Sequence, residues 1–196
     1  MNAVMNVTEV VLEGEHLRLE PMSETHAAGL WEAARFPEIW TWFPFRVTTA
    51  EDVPMLLARA KAGLAHGVAQ SFVQVWKATG QVIGSTSYLA IDAPNRRLEI
   101  GATWLTPAFQ RTPANTEAKL LLLTHAFEVL GCNRVEFKTD SCNTQSRAAL
   151  QRIGATEEGV FRAHMVRPDG SLRDSVYFSI VSSEWPQVRE RLRARL

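Results

Sequence analysis

The stretch from Glu99 to Phe127 constrains the fold of this 196-residue chain most strongly. It opens with alternating apolar residues, Ile100, Ala102 and Trp104, which predict a short strand. A turn-rich loop follows, and a long apolar run then predicts a helix. A second strand is predicted from Arg134 to Thr139. A strand, a helix and another strand in this order predict a crossover unit within a sheet.

The loop before this helix is a candidate anion site. Its turn-forming residues are Thr106, Pro107, Thr112 and Pro113. We expect Asn115 or Thr116 to cap the helix. The first N–H groups of a helix have no partner inside it, and the helix dipole adds about half a positive charge at that end. The sequence therefore predicts that phosphate groups bind here.

The composition is that of an ordinary globular domain, with 46% hydrophobic and 21% charged residues. Twenty-one acidic residues balance 21 basic ones, so we expect neither a nucleic-acid nor a membrane partner. The cysteines, Cys132 and Cys142, are too few for a disulfide scaffold, and no metal site is expected. No apolar run approaches the ~18 residues of a membrane span, and no export signal is evident. We therefore expect a cytoplasmic protein.

The other segments alternate between helical and strand patterns. In the first half we predict a strand at Val10–Pro21, a helix capped by Ser23, a packed aromatic loop at 39–45, a helix at Ala50–Ala65, and an antiparallel meander between Phe72 and Leu105. In the second half we predict helices at Thr116–Leu130 and Thr144–Ile153, strands at Val160–Val166 and Ser175–Val181 joined by a turn at Pro168–Ser171, and a C-terminal helix. The whole chain, 1–196, is predicted to be one mixed α/β (α+β) domain. Its core would span about 12–182, with the last helix at about 185–196 and a mostly antiparallel, twisted sheet of about seven strands flanked by helices.

Four segments in this order resemble the GNAT acetyltransferase superfamily, and most closely the subgroup of ribosomal-protein N-terminal acetyltransferases of the RimJ/RimL type. They are EIGATWL at 99–105, QRTPANTEAK at 110–119, NTQSRAALQRIGA at 143–155 and GVFRAHMVRPDGSLRDSVYFSI at 159–180. The resemblance extends from Leu17 to about Val181. It implies a GNAT-like fold, acetyl-CoA as the donor, and a primary amine as the acceptor, either a protein N-terminus or a small molecule. It also implies direct attack in a ternary complex, and a homodimer is one possible assembly.

The resemblance assigns the cofactor to the loop at 110–115, whose residues occupy the positions of the family pattern Gln/Arg-x-x-Gly-x-Gly/Ala. The implied cofactor-binding residues are Trp104, Leu105, Gln110, Arg111, Thr112, Ala114, Asn115, Thr116, Asn143 and Ser146. Both glycine positions are changed here, and Pro113 lacks an N–H group, which weakens the simplest phosphate cradle. A second interpretation is that Pro113 stiffens the turn and sets the helix start. The first interpretation leaves an alternative function open, a non-catalytic GNAT-fold binding or structural module.

The resemblance also implies the catalytic groups. Ser146 would protonate the departing thiolate, and Asn143 would contact the cofactor arm, although its position equally predicts a plain helix cap. Glu99 is the first candidate for the general base. An ion pair between Glu99 and Arg96 or Arg97 is an equally good interpretation.

Aromatic residues between the first two helices are candidates for the acceptor site. Trp40, Trp42 and Phe43 would form its wall, and the alternative is a hydrophobic cluster packed under a loop. His164 and Tyr177 on the closing hairpin are further candidates, with Asp174 beside them.

Overall fold

The computed structural model describes residues 5–167 and 169–196, which form one mixed sheet with helices on both faces. The strands are β1 (Leu12–Glu13), β2 (Leu17–Pro21), β3 (Gln70–Trp76), β4 (Gln81–Asp92), β5 (Arg97–Leu105), β6 (Arg134–Asp140), β7 (Thr156–Val166) and β8 (Leu172–Val181). Their spatial order is β1-β2-β3-β4-β5-β6-β8-β7. Within the described residues, β5 and β6 are parallel and the other neighbouring pairs are antiparallel. The predicted mixed, mostly antiparallel fold is confirmed.

The helices are α1 (Ala27–Ala34), α2 (Val53–Ala65), α3 (Pro113–Thr124), α4 (Thr144–Ile153) and α5 (Trp185–Arg193). A π-helical turn, His125–Val129, extends α3. Gly154 ends α4 with a φ of 97°, a conformation that favours glycine. Among the described residues, no helix has the length and apolar character needed to cross a membrane.

The two faces of the sheet carry separate hydrophobic cores. On one face, α1 and α2 pack over β3 and β4, and Trp104 of β5 belongs to the same cluster. We call this side the α1/α2 face. On the other, α3, α4 and α5 cover the apolar side chains of β5, β6 and β8, among them Leu98, Val135 and Phe178. We call this side the α3 face. The strands β3, β4 and β5 therefore present residues to both helical layers.

The sheet has eight strands where about seven were expected. The segment predicted as one strand from Val10 to Pro21 breaks into β1 and β2, which pair with each other. The buried carboxylate of Glu117 on α3 stabilises the turn between them. It accepts hydrogen bonds from the N–H groups of Glu15 at 2.5 Å and Leu17 at 2.9 Å. Glu117, about 100 residues away in the sequence, thus fixes the turn at which the first strand ends.

The turn predicted at Pro168–Ser171 includes Pro168, which lies outside the described residues. In the rest of the turn, Ser171 donates from its N–H and its hydroxyl to Asp169 Oδ1, at 2.9 and 2.7 Å. These bonds are typical of an Asx turn.

Candidate active site

The parallel strands β5 and β6 separate part-way along their length. They pair at Arg97–Arg134, Leu98–Val135 and Glu99–Glu136. Beyond this point β5 continues to Leu105 alongside β4, and β6 continues to Asp140 alongside β8. We call the gap between residues 100–105 and 137–140 the opening. Backbone groups along its two edges are not paired with each other.

A bulge in β5 lies at the opening. Ser87 pairs with Gly101 and Ser85 with Trp104, so β5 contains one more residue than β4 between these pairs. Ala102 at the bulge has a φ of 47°, which is uncommon for a residue other than glycine. The extra residue reverses the alternation, and Trp104 therefore points to the α1/α2 face, like Glu99.

Two helices begin at the carboxyl ends of the strands that border the opening. Thr112 caps α3 by accepting the N–H of Ala114 at 3.3 Å. Asn143 caps α4 by accepting the N–H of Ser146 at 3.0 Å, as expected. Because β5 and β6 are parallel, both helix N-termini lie at the same edge of the sheet. Both ends carry partial positive charge and favour anionic groups.

The prediction that Asn115 or Thr116 caps α3 was wrong, because the helix begins at Pro113. Proline occupies the first helical position, where an N–H group would have no partner inside the helix. The interpretation of Pro113 as a residue that sets the helix start therefore agrees with the structure. The alternative of a non-catalytic module assumed that Pro113 disrupts the phosphate-binding loop. The position of Pro113 at the start of the helix removes the reason for that assumption.

The loop before α3 presents an arginine to solvent. Arg111 adopts a φ of 61°, a conformation that favours glycine, and its side chain is exposed. It forms no ion pair with another described residue. Gln110 holds the loop to the strand end by donating from Nε2 to the carbonyl of Leu105 at 3.2 Å. The residues predicted to bind phosphate are thus collected at one helix start: Arg111, Thr112, Ala114, Asn115 and Thr116.

Ser146 lies in the first turn of α4 and is half-buried. Its N–H bonds to the cap, while its hydroxyl has no hydrogen-bond partner among the described residues. This hydroxyl is consequently available to a bound molecule. Asn143 uses its side-chain oxygen for the cap, so its amide nitrogen is the group left for a ligand.

Glu99 lies on the α1/α2 face of β5 and is only 5% exposed. Its Oε2 atom is 3.2 Å from the ammonium of Lys138 on β6. The predicted ion pairs with Arg96 or Arg97 were wrong. Arg97 instead pairs with Asp92 and Glu136 across neighbouring strands, and Arg96 donates to the side chain of Asn133.

Trp40 does not line a pocket. It is 1% exposed, its indole N–H donates to the carbonyl of Ala34 at 2.8 Å, and its ring lies 5.4 Å from that of Trp104. The prediction that it contacts the acceptor was therefore wrong, because it belongs to the core of the α1/α2 face. Trp42, two residues later, is 38% exposed, and Phe43 is half-buried.

Trp42 and Phe43 form one wall of a pocket beside the opening. We call it the arginine pocket, and its lining residues are Thr41, Trp42, Phe43, Pro44, Asp140, Met165, Val166, Arg167 and Arg173. Asp140 is the last residue of β6, so the pocket adjoins the opening at the carboxyl end of that strand. The prediction of a loop at 39–45 was wrong in part, because Pro37–Trp42 form a short 3-10 helix. The end of this aromatic segment faces the β7–β8 hairpin.

His164 and Tyr177 come together on the hairpin, with ring centroids 5.7 Å apart. His164 Nδ1 is 3.0 Å from the hydroxyl of Ser175, and Lys138 lies 5.8 Å from the ring of Tyr177. These side chains share the α1/α2 face with Glu99. Asp174 points elsewhere, because its carboxylate accepts the N–H of Ala163 on β7 at 2.7 Å.

Sequence reasoning missed three charged residues of this region, Lys138, Arg167 and Arg173. Each is defined by a carboxylate partner that is distant in sequence, Glu99 for the lysine and Asp140 for the arginines. No local pattern indicates such pairs. Paired charges on neighbouring strands would have been the available signal, once the strand order was known.

Comparisons with known proteins agree with this geometry. The sequence profile of the acetyltransferase (GNAT) domain family matches residues 16–156. YdaF of Bacillus subtilis, whose name describes a ribosomal N-acetyltransferase, is 38% identical over 106 residues, which cover 54% of this chain and 57% of YdaF. The crystal structure of a GCN5-related N-acetyltransferase from Brucella melitensis has 32% identity and a TM-score of 0.91, covering 98% of this chain and 89% of that one.

A more distant structure, RimJ of Mycobacterium smegmatis in complex with CoA-disulfide, shares the fold at a TM-score of 0.79 and 24% identity. It covers 91% of this chain and 88% of the RimJ chain. The domain match covers well over half of the sequence, and acetyltransferases of this family use acetyl-CoA as the donor. The predicted family, enzyme class and donor are therefore confirmed. The chain belongs to the GNAT acetyltransferase family.

Proposed function

We propose that this protein transfers the acetyl group of acetyl-CoA to a primary amine held in the opening between β5 and β6. The observation that carries the proposal is the end of β5–β6 pairing after Glu99 and Glu136, at an edge where two helices begin. The unpaired strand edge offers backbone groups to the amides of the cofactor arm, near Trp104 and Leu105. The helix starts offer N–H groups and partial positive charge.

The residues at the start of α3 fit a pyrophosphate. Arg111 is exposed and has no competing carboxylate among the described residues, so it is available for a charge-assisted hydrogen bond. The N–H of Asn115 lies in the first turn, and Thr112 and Thr116 add hydroxyl groups. Gln110 fixes the loop that carries them. Asn143 would contact the arm of the cofactor from the other side through its amide nitrogen.

Acetyl-CoA supplies a thioester carbonyl that an amine can attack directly. In that step the N–C bond forms, the C–S bond breaks, the amine loses a proton and the departing thiolate gains one. We assign the thiolate's proton to the hydroxyl of Ser146, which has no other partner among the described residues. We assign the amine's proton to Glu99, directly or through one water, with Lys138 fixing the carboxylate. Positioning of the two reactants provides much of the acceleration.

The acceptor would approach from the α1/α2 face, between the aromatic wall and the β7–β8 hairpin. Trp42, Phe43, His164 and Tyr177 would contact it. Similarity to YdaF, whose name describes a ribosomal N-acetyltransferase, supports a protein acceptor, and the aromatic wall also suits a small amine. A cytoplasmic location and a homodimer stay predictions from the sequence.

The test measures release of free thiol from acetyl-CoA in the presence of amines, together with thermal stabilisation by CoA. Wild-type protein should release thiol in an amine-dependent way. Glu99→Gln and Ser146→Ala should each lower kcat by about a hundredfold, since general acid–base catalysis contributes at least that much. Ser183→Ala, an exposed serine, is the matched control.

Two results would contradict the proposal. The first is the absence of both thiol release and thermal stabilisation by CoA. The second is full activity in both the Glu99 and Ser146 variants, which would remove the assigned roles while leaving the transfer itself in place.

A further inference from the structure

Arg173 on β8 is a buried arginine without a hydrogen bond. It is 8% exposed, and its guanidinium donates to no described residue. Its Nε atom is fully enclosed and unpartnered within the described part of the chain. The nearest carboxylate oxygen, Asp140 Oδ2, is 4.0 Å from Nε. A guanidinium has five N–H donors in a planar fork, so this side chain has a large unused donor capacity.

Asp140 does not supply what Arg173 lacks. Its Oδ2 already accepts a hydrogen bond from Arg167 Nε at 2.9 Å, and Arg167 Nη2 lies 2.8 Å from the same oxygen in an ion pair. Its Oδ1 accepts the N–H of Cys142 at 2.9 Å. One carboxylate therefore faces two guanidinium groups. The carboxylate of Glu99 is nearby but is paired with Lys138. Arg173 is therefore left without a carboxylate of its own among the described residues.

Arg173 cannot escape this lack of a partner by releasing its proton, because an arginine side chain stays charged in proteins. Burial lowers the pKa of Arg173 from its ordinary value, and Asp140 opposes that shift. A buried charge without a hydrogen-bonded partner is costly. An anion from outside the chain would relieve that cost.

The location of Arg173 indicates where such an anion would come from. The residue lines the arginine pocket opposite Trp42 and Phe43, the wall assigned to the acceptor. Glu99 and Tyr177 lie close enough to raise the pKa of Arg173 electrostatically. Neither residue lines the pocket, so Arg173 itself is the link between the pocket and the region where the amine would lose its proton.

We infer that Arg173 binds a carboxylate of the acceptor, so the preferred acceptors are amines that also carry a carboxylate. This inference rests on the proposed function, because it names the substrate class of the same site. Planar carboxylates match the fork of a guanidinium in a bidentate arrangement. A carboxylate carries a single negative charge and would meet less repulsion from Asp140 than a phosphate dianion would. The carboxylate can be that of a free amino acid or an acidic side chain next to a peptide N-terminus.

The experiment compares two pairs of acceptors by thiol release from acetyl-CoA. The peptide pair is Ala-Glu-Ala-amide and Ala-Gln-Ala-amide, and the small-molecule pair is alanine and alaninamide. Wild-type protein should prefer the carboxylate member of at least one pair by about tenfold or more in kcat/KM, the value expected of a charge-assisted hydrogen bond. The pair that shows the preference identifies the source of the carboxylate.

Arg173→Met tests whether the arginine causes the preference. The ratio should fall to about one, because only the charged acceptor loses a partner. Arg173→Lys keeps the charge without the fork and should retain an intermediate ratio. If the methionine variant does not fold, the lysine variant decides alone, and an unchanged ratio in it would contradict the inference. Arg152→Met removes an exposed arginine on α4 and is the matched control.

Equal use of both members of each pair by wild type would overturn the inference, as would a preference that survives in Arg173→Met. Calorimetry with CoA-saturated protein separates this failure from that of the proposed function. If no amine releases thiol, the proposed acetyl transfer fails. The inference is then tested by binding alone: Ala-Glu-Ala-amide should bind wild type at least tenfold more tightly than Ala-Gln-Ala-amide does. The two peptides should bind Arg173→Met equally.

Discussion

Two buried cations lie on opposite faces of the opening, and they differ in how the protein accommodates them. Lys119 on α3 is 6% exposed, donates from Nζ to the hydroxyl of Thr103 at 2.9 Å and lies 5.8 Å from the ring of Phe137. Arg173 is equally buried on the α1/α2 face but makes no hydrogen bond to a described residue. No carboxylate lies within 4.0 Å of Lys119 in the described part of the chain.

The difference follows from acid–base chemistry. Burial lowers the pKa of Lys119 to about 7, so this side chain can lose its proton and remain as a neutral hydrogen-bonded group. Its partner Thr103 also contacts Thr86 at 2.8 Å, which links α3 to the bulge in β5. Arg173 keeps its charge and needs an anion. A buried lysine can therefore be structural where a buried arginine indicates a binding site.

The largest expected effect comes from removing the carboxylate of Asp140, which faces both Arg167 and Arg173. Asp140→Asn leaves the buried Arg173 without a nearby carboxylate and removes the ion pair of the partly exposed Arg167, which should lower the free energy of unfolding by about 3 kcal/mol. Urea denaturation measures it, with Glu9→Gln, which removes an exposed carboxylate far from the arginines, as the control. A loss below about 1 kcal/mol would mean that the two guanidinium groups do not depend on Asp140.

The next effect is a dependence of the free energy of unfolding on pH that comes from Lys119. The pKa of Lys119 is about 7 in the folded protein and 10.5 in the unfolded chain, so the unfolded state binds more protons between these values. Stability should therefore rise with pH, by about 1.5 kcal/mol from pH 7 to pH 8.5. Below pH 7 the lysine is charged in both states and adds no slope.

Lys119→Met should remove this rise, while the exposed Lys61→Met should keep it. Denaturation midpoints at several pH values measure both variants. An unchanged slope in Lys119→Met would show that Lys119 is not the titrating group. Arg173 should contribute no slope over the same range.

A smaller effect compares Arg173 with the exposed Arg111. Arg111→Met should weaken CoA binding about fivefold, and less at high salt, because an exposed charge is screened. Calorimetry with CoA measures the change. The preference for a carboxylate acceptor should not move. If it does move, the two arginines do not serve separate ligands.

The smallest effect is that of Arg173→Met on stability without substrate. Replacing a buried, unpaired guanidinium by an apolar side chain of similar length should change the free energy of unfolding by less than about 1 kcal/mol. The change should be the same at pH 6.5 and pH 8.5, unlike that of Lys119→Met. A loss above about 2 kcal/mol would indicate that Arg173 is a structural group.

Local sequence signals predicted much of the fold. Alternating residues gave the meander that ends in β5, and Asn143 and Gly154 marked both ends of α4 correctly. The break between β1 and β2 was not predictable, because Glu117 causes it from about 100 residues away. The start of α3 was predicted too late in the sequence. Pro113 is the first residue of the helix, but a proline in a turn-rich loop can equally mark a segment that precedes a helix.

The candidate site was less predictable than the fold. Asn143 and Ser146 belong to a local pattern, whereas Trp40 and Trp42 differ in role although they are two residues apart. The aromatic loop has no helical or strand period, so nothing in the sequence indicates which ring points to the core. The role proposed for Arg173 depends on its position beside Asp140, which lies on the neighbouring strand β6 and is distant in sequence.

The most direct test of the central claim is a crystal structure of the protein with CoA. The account predicts that the CoA sulfur lies in the opening between β5 and β6. It also predicts the pyrophosphate within hydrogen-bond distance of the N–H groups at the start of α3, with Arg111 beside it. A sulfur atom outside the opening, or a pyrophosphate bound away from that helix start, would contradict the account.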